Sequence, residues 1–121
     1  MQRSRAADDF LPLKSDVLLI LLALATGPLH GYGIIRDVEE RTDGEVVLQT
    51  GALYRTLRRL LVDGLIEECA PPPTAEHDDE RRRYYRPSAL GERVLSADVE
   101  RMSRLVRAAR LTTGGKRPRL V

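Results

Sequence analysis

Nine consecutive apolar residues near the start of the chain, Val17–Ala25, constrain the fold more than any other feature. A helix built from them is apolar nearly all round, so neighbouring elements must cover it on every side. The pair Gly27-Pro28 stops the run, which predicts a helix from about Ser15 to Thr26 with Ser15 as its cap. We therefore expect a buried helix at the centre of one domain.

The same run also resembles the core of a secretory signal peptide, since it follows Lys14 and ends in an A-x-A triplet. The preceding segment carries Asp8, Asp9 and Asp16 and is therefore mixed in charge rather than positive. Cleavage would also remove the first helix of a patterned domain. We expect a cytoplasmic protein with no membrane contact, and the single cysteine, Cys69, fits a reducing compartment.

Two further helices follow from the spacing of apolar residues. The first, about Tyr32 to Thr42, places Ile34, Ile35 and Val38 on one face. The second runs from about Thr50, its expected cap, to Asp63, where Gly64 supplies a stop signal. Its core stripe consists of Leu53, Leu57, Leu60 and Leu61.

Two short strand candidates, Leu65–Cys69 and Arg82–Arg86, flank a loop with three prolines and an acidic run at 76–80. A fourth helix is predicted from about Ser88, its cap, to Arg110. A two-stranded hairpin is not stable alone and must pack on helices. The predicted fold is therefore mainly α with a small β-hairpin: a winged helix-turn-helix followed by a long C-terminal helix.

Catalytic and metal-binding motifs are not found in the sequence. It contains no glycine-rich phosphate loop, nucleophile motif or recognisable pair of catalytic carboxylates, and its two histidines have no zinc-ligand spacing. We expect no enzyme activity, cofactor or metal; an acidic site including His77 is an alternative, although such loops are usually only solvated. His30 is expected to pack or to cap a helix.

The outer face of the third helix favours DNA binding. Arg55, Arg58 and Arg59 lie away from the leucine stripe, and no acidic residue occurs from Thr50 to Val62. Guanidinium groups on one helix face suit guanine edges and phosphates in a major groove. The helix start, at Gln49 and Thr50, can present backbone N–H groups to a phosphate.

A second basic cluster lies on the returning strand. Alternation places Arg82, Tyr84 and Arg86 on one face, so we expect one of Tyr84 and Tyr85 to pack on the core and the other to lie near DNA. The acidic run before Arg81 either bends away from DNA or pairs with the neighbouring arginines. A solvated edge strand blunted by charge is the alternative interpretation.

The fourth helix carries a coiled-coil seam that predicts a homodimer. The expected interface residues are Leu95, Val99, Met102, Leu105, Val106 and Ala109. Each large seam residue contributes roughly 1.5–3 kcal/mol on burial, whereas association costs about 4–15 kcal/mol. A dimer held only by two heptads would therefore be marginally stable. We expect the segment around Leu11 to add to the interface. An amphipathic helix folded back on a monomer is the alternative.

Several separate motifs together resemble the PadR family of bacterial transcriptional regulators. The segments that carry the resemblance, in chain order, are LPLK from Leu11, GPLHGYGII from Gly27, TGALYR from Thr50, DGLI from Asp63 and RRYYR from Arg82. The resemblance implies a homodimer that binds an inverted repeat, usually as a repressor. It assigns recognition-helix roles to Thr50, Tyr54, Arg55 and Arg59, and wing contacts to Arg82 and Tyr84.

The single short terminal helix is similar to the smaller branch of that family, and it lacks the aromatic residues with which some relatives hold flat ligands. We expect a disordered tail at 1–9, a DNA-binding domain at 10–87, a dimerisation helix at 88–111 and a flexible basic tail at 112–121. Double-stranded DNA is the expected partner, with release by a small-molecule effector that the sequence does not identify. A winged-helix adaptor for proteins and a non-specific DNA binder are the alternatives.

Overall fold

The computed structural model describes residues 6–75 and 82–114. The elements in chain order are α1 (Ser15–Ala25), β1 (Leu29–His30), α2 (Gly31–Arg41), α3 (Thr50–Val62), β2 (Ile66–Cys69), β3 (Tyr84–Pro87) and α4 (Ala89–Thr112). All four predicted helices are present, and their ends lie close to the predicted ones. The acidic run with His77, Arg81, the first five residues and the last seven lie outside the described residues.

The apolar helix α1 lies at the centre of the domain, as predicted. Ile20, Leu21 and Leu24 are at most 1% exposed, and α1 packs against α2, α4 and β3. The stripe on α3 faces the same core, where Leu53, Leu57 and Leu60 are buried and Leu61 is partly buried. The opposite side of α1 is not covered to the same extent, since Leu18 and Leu22 are only partly buried and Ala25 is exposed, so the prediction that α1 is buried on every side holds only for its core-facing side.

The wing is a three-stranded antiparallel sheet with the order β1-β3-β2, rather than the predicted two-stranded hairpin. The additional strand consists of Leu29 and His30, which pair with Tyr85 and Tyr84. Two residues are too few to show a period-two pattern, so only their pairing with β3 identifies them as a strand. The return strand begins at Tyr84 rather than at Arg82.

Two predicted helix caps are wrong. Ser15 and Thr50 are already the first helical residues, and the capping positions belong to Lys14 and Gln49. Both capping residues have extended backbone, and neither makes a side-chain cap hydrogen bond. The preference of Ser and Thr for the cap is weak enough for tertiary packing to shift a helix start by one residue.

The other two helix starts have side-chain caps. The N–H of Gly33 donates to Nδ1 of His30 over 3.0 Å, which confirms the predicted capping role of this histidine at α2. The N–H of Gly91 donates to Oγ of Ser88 over 3.0 Å, as predicted for α4. These caps fix where α2 and α4 leave the sheet.

The N-terminal segment is more ordered than predicted. Residues 6–8 form a helical turn, and Ala7 is 3% exposed within the hydrophobic core. Phe10, Leu11 and Leu13 are partly buried against the same core. The expectation of a disordered tail is therefore wrong for this turn, because its small apolar side chain finds a site among the helices.

Candidate DNA-binding surface

The outward face of α3 is basic and open. Arg55, Arg58 and Arg59 are exposed, together with Gln49 and Thr50 at the helix start. Among the described residues, no ion pair engages these three guanidinium groups. The first acidic residue along the helix direction is Asp63, its C-terminal cap. The three arginines can therefore bind an external anion without first breaking an internal pair.

Tyr54 fixes the position of α3 relative to α2. Its phenol lies against Gly31, where a β-carbon would overlap the ring and hydroxyl. The side chain is still 42% exposed, so its outer edge is available to a ligand. The resemblance assigned Tyr54 to DNA binding; its inner edge also has a packing role, which the sequence pattern did not indicate.

Arg82, two residues before β3, lies close to the cap of α2. The guanidinium Nη1 of Arg82 lies 3.4 Å from each ring nitrogen of His30. Arg82 itself is exposed. This contact joins the wing to the helix-turn-helix through one histidine.

The predicted DNA contact by Tyr84 is wrong. Its side chain is only 4% exposed, and its ring packs edge-on against His30 with 5.2 Å between centroids. Tyr85 is equally buried and belongs to the hydrophobic core, so neither tyrosine is open to solvent, although one was expected to face DNA. The reason is the pairing of β1 with β3, which places His30 directly beside Tyr84 in the strand register.

Two other wing arginines have carboxylate partners across β2 and β3. Arg86 pairs with Glu67 at 2.8 Å, and Arg83 lies 3.6 Å from Glu68. Glu67 and Arg86 are direct partners in the strand register. Exposed pairs of this kind contribute roughly 0–1 kcal/mol to stability, and they reduce the positive charge that β3 presents.

The phenol of Tyr85 is held in its neutral form. Burial raises the pKa of Tyr85, with Glu68 and Tyr54 adding to the rise and Arg83 opposing it. An ionised phenolate would be unfavourable both in the core and beside a phosphate.

Sequence analysis missed Tyr32, which is 56% exposed on α2. The guanidinium carbons of Arg36 and Arg82 each lie 5.8 Å from the centre of its ring, and the ring stacks with His30 at 6.4 Å. Exposed cation–π contacts contribute roughly 0.5–1 kcal/mol each. The available signal was an aromatic residue on the polar side of an amphipathic helix.

The predicted dimer residues differ in exposure. Val99, Leu105 and Val106 are 44–56% exposed, whereas Leu95 and Leu11 pack partly on the chain's own core. Met102 is half-buried and Ala109 is exposed. Leu111, which the seam did not include, is 78% exposed near the end of α4.

Within residues 6–75 and 82–114, no cluster of His, Cys, Asp or Glu could hold a metal ion. No helix in the same ranges is long and apolar enough to cross a membrane.

The sequence profile of the Transcriptional regulator PadR-like family matches residues 20–97, which is well over half of the chain. The chain belongs to the PadR-like family. No curated protein sequence matches it. The matched range extends from α1 into α4, so the PadR-like region includes α3, the wing and the start of the terminal helix.

Solved structures share this PadR-like fold. A transcriptional regulator from Clostridium thermocellum is 26% identical, with a TM-score of 0.63, and the match covers 78% of this chain and 85% of that one. A PadR family regulator from Clostridium difficile is 22% identical, with a TM-score of 0.63 and coverages of 83% and 98%. Bacillus subtilis PadR, solved with operator DNA, is 22% identical, with a TM-score of 0.58 and coverages of 71% and 46%.

The matches confirm the predicted family and fold class. The protein is a PadR-like transcriptional regulator, mostly helical, with a small antiparallel sheet and a C-terminal helix.

Proposed function

We propose that this regulator binds an inverted-repeat operator in double-stranded DNA as a homodimer and represses transcription. The observation that carries the proposal is the outward face of α3, where three exposed arginines have no ion-pair partner among the described residues. Bacillus subtilis PadR, which shares the fold, was solved in complex with operator DNA. This supports DNA binding for the present chain.

The contacts divide into base reading and positioning. Arg55 and Arg59 suit bidentate contacts to guanine O6 and N7, while Arg58 lies to the side and suits a phosphate. Gln49 and Thr50 lie at the start of α3, where backbone N–H groups favour a phosphate. Tyr54 contributes its exposed edge, and Arg82 binds the backbone from the wing.

The exposed apolar residues of α4 support the dimer, with Leu11 as an additional contact. Two recognition helices related by a two-fold axis would enter successive major grooves, with half-site centres about 34–36 Å or 10 base pairs apart. On this proposal, residues 10–87 form the DNA-binding domain and 88–111 the dimerisation helix. The protein acts in the cytoplasm, where it reaches chromosomal DNA.

The first experiment compares binding of the full chain to its own upstream DNA and to a scrambled duplex of equal length, across a salt series. A specific regulator prefers the upstream DNA, and the preference persists at physiological salt. Addition of the protein to in vitro transcription from that promoter should lower the transcript yield. Equal binding to both duplexes would favour a non-specific binder, and binding to neither would favour a protein adaptor.

The variant Arg55→Ala tests the recognition helix directly. If Arg55 reads a base, the change should weaken operator binding by about 1–3 kcal/mol and relax the preference at one position. The matched control is Arg93→Ala, which removes the same charge from an exposed position of α4. Equal losses in both variants would mean that only net charge matters.

A further inference from the structure

The cluster of His30, Tyr32, Arg36 and Arg82 is not explained by the core or by the base-reading face of α3. Tyr32 exposes more than half of its surface although it is aromatic. Its ring contacts guanidinium groups from two separate elements, since Arg36 belongs to α2 and Arg82 to the start of the wing. Such an arrangement holds two long cationic side chains beside one exposed aromatic ring.

Positive charge is concentrated in this cluster. The guanidinium carbons of Arg36 and Arg82 both lie 5.8 Å from the centre of the Tyr32 ring. Arg36 has no ion-pair partner within the described residues, and the first turn of α2 carries no acidic residue. By contrast, Arg41 at the far end of the same helix is bonded to Asp37 at 3.0 Å. The site therefore favours an anion with several acceptor oxygens.

A surface recess beside the cluster connects it to the recognition helix. The recess has a volume of about 360 Å³. Its lining residues are His30, Tyr32, Tyr54, Arg82, Arg83 and Tyr85. Because Tyr54 belongs to α3, an anion bound here would lie next to the helix that we propose enters the major groove.

We propose that Tyr32, Arg36 and Arg82 bind a backbone phosphate of the operator, on the flank between α3 and the wing. The phenol hydroxyl of Tyr32 donates to a phosphate oxygen, and the two guanidinium groups neutralise its charge. His30 is a positioning residue that contacts Arg82 while capping α2. This contact rests on the proposed DNA binding and carries no sequence information, because phosphates are the same at every base pair.

The test uses Tyr32→Phe and Arg36→Ala in the full chain, with the operator and a scrambled duplex as probes. Tyr32→Phe keeps the ring and removes only the hydroxyl, so it should weaken binding to both duplexes by the same factor, on the order of three- to tenfold. Arg36→Ala should lower the slope of log affinity against log salt by about 0.9 for each protomer. Arg41→Ala is the matched control on the same helix and should leave that slope unchanged.

The outcomes separate this proposal from DNA binding itself. Unchanged affinity of Tyr32→Phe for both duplexes, with wild-type binding intact, would overturn the phosphate contact alone. A change confined to the operator would also overturn it, because Tyr32 would then be reading sequence. If the wild-type chain bound neither duplex, the proposed function would fail as well. Thermal melting should be unchanged for Tyr32→Phe, which excludes a purely structural effect.

Discussion

The phenol of Tyr54 on α3 lies directly against Gly31, the first residue of α2, and leaves no room for a β-carbon there. Because Gly31 is buried, its missing side chain sets the distance between the two helices of the helix-turn-helix. A larger residue at this position must displace the Tyr54 side chain from its place against α2.

The first prediction is that Gly31→Ala lowers the free energy of unfolding by about 1–3 kcal/mol, the usual cost of overpacking. Urea titration measures the change. In the Gly31→Ala background, Tyr54→Ala should cost less than it does in the wild type, because removal of the ring also relieves its overlap with the added methyl group. The control is Gly51→Ala in exposed helix, which should stabilise by up to about 1 kcal/mol. Equal effects at both glycines would contradict the packing argument.

The second prediction concerns the junction between α3, β2 and α4. A β-carbon on Gly91 would overlap the carbonyl oxygen of Leu65, which also accepts a hydrogen bond from the N–H of Ser88 over 3.0 Å. A backbone atom cannot rotate away as Tyr54 can. Gly91→Ala should therefore cost at least about 3 kcal/mol, measured by urea titration. A loss smaller than that of Gly31→Ala would show that this junction is adaptable.

The third prediction concerns a buried ion pair on α4. Asp98 is 1% exposed, and its Oδ1 accepts from Nε of Arg101 over 2.8 Å. Its Oδ2 has no hydrogen-bond partner within the described part of the chain. Arg101→Met should cost about 1–3 kcal/mol, because it leaves a buried carboxylate unbonded. The control is Arg104→Met, whose exposed pair with Glu100 spans 3.7 Å and should matter by less than about 0.5 kcal/mol. Thermal or urea unfolding measures both losses of stability. Similar losses in Arg101→Met and Arg104→Met would mean that the burial of Asp98 does not determine the cost.

The fourth prediction is a loss of stability at alkaline pH. Burial raises the pKa of the Cys69 thiol, with Arg86 opposing the rise and Glu67 adding to it. The folded chain therefore binds more protons than the unfolded chain once the pH passes the ordinary thiol pKa, roughly 8.5. Stability is fully present below that pH and falls as the pH rises through the folded value.

Urea midpoints measured from pH 7 to 10.5 test this titration. The wild-type midpoint should fall above about pH 8.5, and Cys69→Ala should fall less steeply. Titration of Tyr85, whose pKa is also raised by burial, accounts for part of the decrease that remains in Cys69→Ala. A wild-type midpoint that stayed constant over this range would be inconsistent with both shifts.

The fifth prediction tests the dimer. Val106→Glu places a charge at the centre of the exposed apolar surface of α4 and should raise the dimer dissociation constant at least tenfold, since buried unpaired charge costs several kcal/mol. Analytical ultracentrifugation measures the change. Ala108→Glu adds the same charge on the opposite side of the helix and should leave the dissociation constant unaltered. If neither substitution changed the dissociation constant, this surface of α4 would not be the dimer interface, and a wild-type chain that sedimented as a monomer would exclude the dimer itself.

The helical part of this protein was predictable from local pattern. The apolar run of α1, the leucine stripe of α3 and the cap at Ser88 depend on residues close together in the chain, so spacing alone reveals them. The exposure of Arg55 and Arg59 followed for the same reason: a buried stripe on a helix determines which residues face outward.

The wing and its tyrosines depended on the tertiary structure. Strand β1 exists because Leu29 and His30 meet β3, more than fifty positions later in the chain. That pairing covers Tyr84, and the spacing within Arg82–Arg86 cannot reveal it. The cluster around Tyr32 likewise joins side chains from α2 and the wing that have no common sequence pattern.

The sequence by itself therefore determined the helices, their buried faces and the basic face of α3, because those properties follow from the period of a helix. Only the tertiary structure decided which aromatic residues reach the surface. Tyr32 lies outside and Tyr84 inside because contacts between distant segments, rather than neighbours in sequence, cover one ring and leave the other open.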